Sequence, residues 1–311
     1  MALTFFIGLR PKSVGADTSQ YIQNYEYEKG IVFQLNYDTE NVIFDNLFTY
    51  LGSQNYDISE LFLIMAFIYF ACIYVACRRL FPQSQEIAFF SYLMAFSTFS
   101  YSVNGMKAGV GAALFLVALA YREKILLSIA FAALSIGFHH SMIVVAIAYV
   151  ISYFYKSTKN FIYGWLLCTL MAIAHISFFQ VLFASFASDK ANEYLTGVGY
   201  ITGLRLDFIL YSAMPILIGY IMLFKKNIRN ELYELWLRMY LTTNSAWMLC
   251  MYASYTNRIA YLSWFMYPIV LLIPYYSIKT SNNQFVVGKK VVLYHLFFTL
   301  FMTLIYYRFI H

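Results

Sequence analysis

The sequence predicts an all-α, polytopic integral membrane protein with about ten or eleven transmembrane helices. Three observations carry this. Hydrophobic residues make up 61% of the 311 and charged residues 12%, and mean hydropathy is +0.63, all outside the range of soluble domains. The apolar residues come in long runs, several approaching the 20 or so that cross a bilayer as a helix. The charges fall between those runs, singly or in pairs, as topology signals do and nucleic-acid patches do not. At about 20 residues per crossing little chain remains for a soluble domain, so a single polytopic membrane domain, residues 1–311, is expected, with membrane lipid and no nucleic acid as partner.

Met1 to Leu9 is apolar but too short to span, and has neither a basic n-region nor a cleavage site. It reads as the end of a first helix whose beginning is missing. Arg10 to Asp57 is one long polar, tyrosine-rich loop with acids at Asp17, Glu26, Glu28, Asp38, Glu40 and Asp45. Loops of that length usually carry structure of their own, so short amphipathic helices are expected near Thr18 to Glu28, with Asp17 as its cap, and near Asn41 to Leu51.

Ten apolar runs follow. They lie at roughly Ser59 to Ala76, Ile87 to Val103, Ala108 to Tyr121, Ile125 to Phe138, Ser141 to Tyr155, Phe161 to Phe183, Asp207 to Phe224, Met239 to Tyr252, Ile259 to Ser277 and Val291 to Tyr307. Cys72, Cys77, Cys168 and Cys250 all sit inside such runs without metal-ligand spacing, as small buried hydrophobes do. No internal repeat is visible.

Assigning alternate loops to alternate sides places thirteen of the 21 bases on one side with only four of the 15 acids. The bases are Arg78, Arg79, Arg122, Lys124, Lys156, Lys159, Lys225, Lys226, Arg229, Arg238, Lys279, Lys289 and Lys290; the acids are Glu86, Glu123, Glu231 and Glu234. By the positive-inside rule that side is cytoplasmic, and the 10–57 loop is extracytoplasmic. Arg10, Asp17, Lys107, His139, His140, Arg205, Asp207 and Arg258 then all fall on the outer side, at or just inside helix ends. Two polar interruptions stand out among them: Asn104, Gly105, Met106 and Lys107, and Phe138, His139, His140 and Ser141. Polar turns at membrane depth are tolerated only inside protein or beside a water-filled cavity, and ionisable residues there are costly and point to function.

Cations converging at the outer edge of a bilayer suit a diphosphate carried on a lipid. Arg10, Lys107, Arg205 and Arg258 would hold its oxygens, arginine with a planar fork and lysine with a point charge. In a glycosyl transfer they would also stabilise the charge that develops on the leaving diphosphate. His139 or His140 suits the base that takes the proton of an attacking sugar hydroxyl, and Asp17 and Asp207 are alternative bases or arginine-orienting partners. Each residue alone has a plainer reading. An arginine at a helix end snorkels or sets topology, Arg205 with Asp207 is a local ion pair, adjacent histidines on a helix diverge by about 100°, and His175 and His295 are satisfied bundle residues. Their collection on one side is what favours a site. The outer acids lack ligand spacing, so neither metal nor another cofactor is implied.

These residues also carry a resemblance. Gly8-Leu9-Arg10 followed by Val14-Gly15-Ala16-Asp17 and Tyr21, the Asn104 to Ala113 stretch, Phe138-His139-His140-Ser141, Leu204-Arg205-Leu206-Asp207-Phe208 and Asn257-Arg258-Ile259-Ala260 resemble, in order, the motifs of the EpsG family of exopolysaccharide polymerases, relatives of the Wzy polymerases. Asn104 falls at the family asparagine and His139 at its histidine. Lys107 and Ala108 depart from it, standing where the family usually has arginine and glutamine. The resemblance implies a multi-pass protein of the bacterial cytoplasmic membrane, its site facing outward, that joins undecaprenyl-diphosphate-linked oligosaccharide units into exopolysaccharide or capsule. Its partners would be that lipid-linked oligosaccharide and other exopolysaccharide-assembly proteins. The alternatives are a flippase for the same lipid, a ligase adding one unit to another acceptor, and a non-catalytic member. A transporter is expected to show repeats and a central cavity, and the polar residues here cluster at one edge.

Overall fold

Apolar runs bounded by polar turns leave the backbone one way to satisfy its hydrogen bonds in lipid, which is helix. A computed structural model describes residues 1–176, 178–185, 192, 195, 203–278 and 283–306. Helix accounts for 76% of it, with no strand among the described residues, and the chain is an all-α polytopic membrane protein. Lys279 and Tyr307 lie outside the described residues, as does part of the Phe161 to Phe183 run.

The chain divides into two compact units, Met1–Ile143 and Val144–His311. In the first, α1 (Ala2–Gly8) precedes the expected amphipathic pair, α2 (Thr18–Glu28) and α3 (Val42–Ser53). After these come α4 (Ile58–Leu80), α5 (Gln85–Leu93), α6 (Phe96–Val103), α7 (Met106–Ala120) and α8 (Ile125–Phe138), and α9 (Met142–Phe154) begins at the boundary. The 23-residue α4 is long and apolar enough to cross a membrane, and α1, α3, α5 and α7 pack against it. Asp57 caps it, accepting the Ser59 N–H at 2.9 Å, a bond that contributes about 0.5–2 kcal/mol. Asp17, expected to cap α2, stands at the N-cap position without bonding the helix through its side chain; its backbone is already αR there, not the extended form that aims a cap.

The Ile87 to Val103 run is two helices rather than one. Ala95 is extended, and the Tyr92 carbonyl accepts both the Ala95 N–H and the Thr98 hydroxyl at the break.

The second unit holds α10 (Thr158–Ile173), α11 (Phe178–Ser185), α12 (Leu206–Tyr220, continuing as a π turn Ile221–Lys225), α13 (Glu231–Leu249), α14 (Thr256–Trp264), α15 (Tyr267–Tyr276) and α16 (Gln284–Tyr306). The segments Leu206–Lys225, Thr256–Tyr276 and Gln284–Tyr306 are long and apolar enough to cross a membrane. Helix α13 starts well before the expected Met239. Asn230 caps it through the Tyr233 N–H, and Arg238, read as an inner-loop base, is a buried helical residue donating to the Ser152 carbonyl at 3.0 Å and to Thr158 Oγ1 at 3.2 Å. A polar knot lies in the core of this unit. Asn244 donates to Ser212 and Ser263 and accepts from the Trp165 indole, while the Trp264 indole also donates to Ser212. A buried network of this kind favours a unique packing only when every member is satisfied. The four cysteines are free and buried or half-buried.

Lys12 Nζ lies 2.9 Å from the Asp57 carboxylate and, with Ser59, holds that carboxyl well below the usual range. A group of depressed pKa contributes stability above its unfolded value and loses it as pH falls through the folded one. Asp57→Asn is therefore expected to lower the thermal midpoint at neutral pH, and the deficit should close only below the ordinary carboxylate range. A deficit that is constant into strong acid would contradict this.

Candidate functional site

In the first unit the motif residues meet at the end of α4 that Asp57 caps. Helices α1 and α6 both finish here, and each leaves backbone carbonyls without intrahelical donors. Arg10 supplies them. Its guanidinium donates to the carbonyls of Ile7 at 3.1 Å, Val103 at 3.1 Å and Val14 at 3.4 Å, contacts the Met106 sulfur at 3.6 Å, and lies 4.2 Å from the centre of the Phe62 ring. A cation at two helix C-termini is also where the helix dipoles favour it. Arg10 is only 6% exposed.

Beside it Asn104 accepts the Ala16 N–H through Oδ1 at 2.8 Å, so the asparagine of one motif fixes the loop of another. Gly15 turns that loop with φ +108°, and a Cβ there would meet Thr18 Oγ1 at 2.6 Å, Val103 Cγ1 at 2.7 Å and Asn104 Oδ1 at 2.9 Å. Gly15→Ala is expected to cost about 1–3 kcal/mol through backbone strain alone. Denaturant unfolding of the purified variant checks it, and a midpoint equal to wild type would contradict the packing. Asp17, half-buried, ends the same turn.

Lys107 lies in the first turn of α7, its Nζ 5.4 Å from the centre of the Phe44 ring on α3, within cation–π range. One turn on, a Cβ at Gly111 would lie 3.3 Å from His139 Cβ and 3.1 Å from the Ser135 carbonyl. The close approach of α8 to α7 thus seats His139 about 6 Å along the helix axis from Lys107, on the same face. His139 is half-buried and extended at the end of α8, and His140 is exposed. The two occupy a turn and not a helix, so the helical divergence expected for them does not apply. His139 Nδ1 is 2.6 Å from Ser141 Oγ, and the His140 N–H donates to Asn41 Oδ1 at 3.1 Å. At the opposite end of this unit Arg79 pairs with Glu123 at 3.0 Å and stands over Tyr121.

In the second unit Arg205 and Asp207 form a bidentate pair, at 2.9 and 2.6 Å, ahead of α12. The guanidinium lies over Phe208 at 3.4 Å and faces Tyr306 at 5.7 Å. Asn257 donates to the Tyr306 hydroxyl at 3.4 Å, and the neighbouring Arg258 is exposed, over the Tyr255 ring at 4.7 Å. Tyr306 therefore links the Arg205 motif to the Arg258 motif. The opposite end of this unit carries Lys156 with Glu231 and Arg229 with Glu234.

Arg10, Asp17, Asn104, Lys107, His139 and His140 thus gather in one unit, and Arg205, Asp207 and Arg258 in the other. Sequence reasoning gave no role to Asn41, Phe44, Ser141 or Tyr306. Asn41 and Tyr306 meet their partners only through the fold, whereas Ser141, two residues from His139, carried a local signal. Among the described residues no three His, Cys, Asp or Glu side chains converge as a metal site.

The fold and these two sets define a polytopic helical membrane protein with cations, a histidine and a carboxylate at one end of its first unit and cations with a carboxylate at one end of its second. Residues 1–310 match the model of the EpsG family, and the chain belongs to that family, one of exopolysaccharide polymerases. Comparison with curated proteins found no match. Comparison with solved structures found none.

Proposed function

We propose that this chain, working as one membrane domain, polymerises undecaprenyl-diphosphate-linked oligosaccharide units into exopolysaccharide or capsule at the outer face of the bacterial cytoplasmic membrane. The hydroxyl of one chain attacks the anomeric carbon of another; the bond from that carbon to the diphosphate oxygen breaks, and the diphosphate leaves on its lipid. His139 takes the hydroxyl proton. In the first unit Lys107 bears on the phosphate charge, an interaction that strengthens as that charge develops; within the second unit Arg205 and Arg258 are that unit's own candidate anion-binding cations, and Asp207 orients Arg205. Arg10 and Asn104, bonded to backbone groups, frame the loop that carries Asp17.

The observation that carries this reading is the seating of His139 one helical turn from Lys107, at the end of its unit away from the Arg79–Glu123 pair. A base must lie within reach of the proton it abstracts, near the charge its step creates. The basic turns at the opposite ends support an outward site under the positive-inside rule. The test replaces Arg10, His139, Arg205 or Arg258 with alanine in cells lacking the chromosomal copy and sizes the polysaccharide. Short products are expected from each; long polymer from all four, at wild-type protein levels, would overturn the reading.

A further inference from the structure

We infer that Ser141 is a positioning residue that sets the ring tautomer of His139, with Asn41 fixing the backbone on which that ring hangs. The inference rests on the reading of His139 as base. The turn from α8 to α9 is held on every side: the His139 N–H donates to Ser135, the His140 N–H to Asn41 Oδ1, and the N–H groups of Met142 and Ile143 to the carbonyls of His139 and His140. Asn41 itself is 6% exposed and stands at the N-cap of α3. The amphipathic helix of the long loop therefore braces the histidine turn, and Ile43 packs over Gly137 beside it.

With the backbone fixed, the imidazole can turn only about its own side-chain bonds. The 2.6 Å contact of Nδ1 with Ser141 Oγ holds those. A neutral imidazole has one N–H and one bare nitrogen, and the hydrogen bond at one nitrogen decides which is which. If Nδ1–H donates to Ser141, Nε2 is the nitrogen that accepts a proton. If Ser141 donates to Nδ1, Nε2 carries hydrogen and the ring cannot serve as a base through it. Base chemistry with Nδ1 occupied requires the first arrangement, so Ser141 is the acceptor.

The full-length protein, labelled with 15N-histidine and reconstituted in nanodiscs, tests this by NMR, the His139 signals being assigned by their loss in His139→Asn. Above its titration, wild-type His139 is expected to carry hydrogen on Nδ1. Ser141→Ala should move it toward the Nε2–H form, and Ser141→Thr should restore it. In cells, chain growth should fall roughly tenfold or more in Ser141→Ala, the scale of a misplaced proton acceptor, and recover in Ser141→Thr. Hydrogen on Nε2 in the wild type, or an unchanged tautomer in Ser141→Ala, would overturn the inference. Long polymer from His139→Ala, with the tautomer shift as expected, would instead remove the base reading and leave the role of Ser141 in setting the ring intact.

Discussion

Arg10→Ala is expected to destabilise the first unit by about 2–6 kcal/mol, since each buried acceptor left without a donor costs about 1–3 kcal/mol and Arg10 serves the buried carbonyls of Ile7 and Val103, while the Val14 carbonyl it also reaches keeps the Thr18 hydroxyl as donor. Two of those carbonyls close the ends of α1 and α6. The third belongs to the turn that leads into Gly15 and Asp17, so loop and helices should loosen together. Arg10→Lys should recover little of this. An ammonium is a point charge on a flexible stem and cannot span acceptors arranged for a planar fork. Urea unfolding of the purified protein, with limited proteolysis within residues 10–57, measures the effect. A residue that serves only to hold phosphate would leave the unfolding midpoint unchanged when removed, so a stable but inactive Arg10→Ala would refute the framing role.

The second large effect is expected from the histidine pair, and its asymmetry is the informative part. His139→Ala should reduce chain growth by roughly 10²–10⁴-fold, the span of a general base, with protein levels held. His140→Ala should stay near wild type, because what the structure engages at that position is the backbone N–H, which alanine retains. Equal losses in the two variants would mean that the turn as a whole, and not the seated imidazole, is what matters.

Much of the fold was legible because polar residues punctuate the chain sharply. Helix α8 runs from Ile125 to Phe138 and α2 from Thr18 to Glu28, as the apolar run and the loop pattern predict, since Lys124, His139 and Gly30 leave no ambiguity about where each stops. The break at Met94 and Ala95 was not legible. It is marked by an extended Ala95 and by the Ala95 N–H and Thr98 hydroxyl both reaching the Tyr92 carbonyl, local geometry that hydropathy does not register. The early start of α13 was hidden for a related reason: Glu231, Glu234 and Arg238 look like loop charges, yet along the first turns of a helix Glu234 and Arg238 pair with each other and with Thr158, and Glu231 pairs with Lys156.

The candidate site was legible as a set of residue types and not as a set of contacts. Asn104 is a conspicuous polar residue in apolar sequence, but its partner is a backbone N–H in a distant loop. Arg10 was read by its charge, whereas the fold uses its geometry at helix ends. Lys107 was conspicuous as a departure from arginine, and the Phe44 ring beneath its ammonium comes from a helix that composition alone placed only as amphipathic.

The central claim is that this chain lengthens a polysaccharide from lipid-linked units. Its most direct test supplies the purified, full-length protein in liposomes with undecaprenyl-diphosphate-linked repeat units and follows both products. The account predicts a ladder of lengthening oligosaccharides with matching release of undecaprenyl diphosphate, and its loss in His139→Ala. Transfer of the intact lipid between leaflets without any longer product would contradict it.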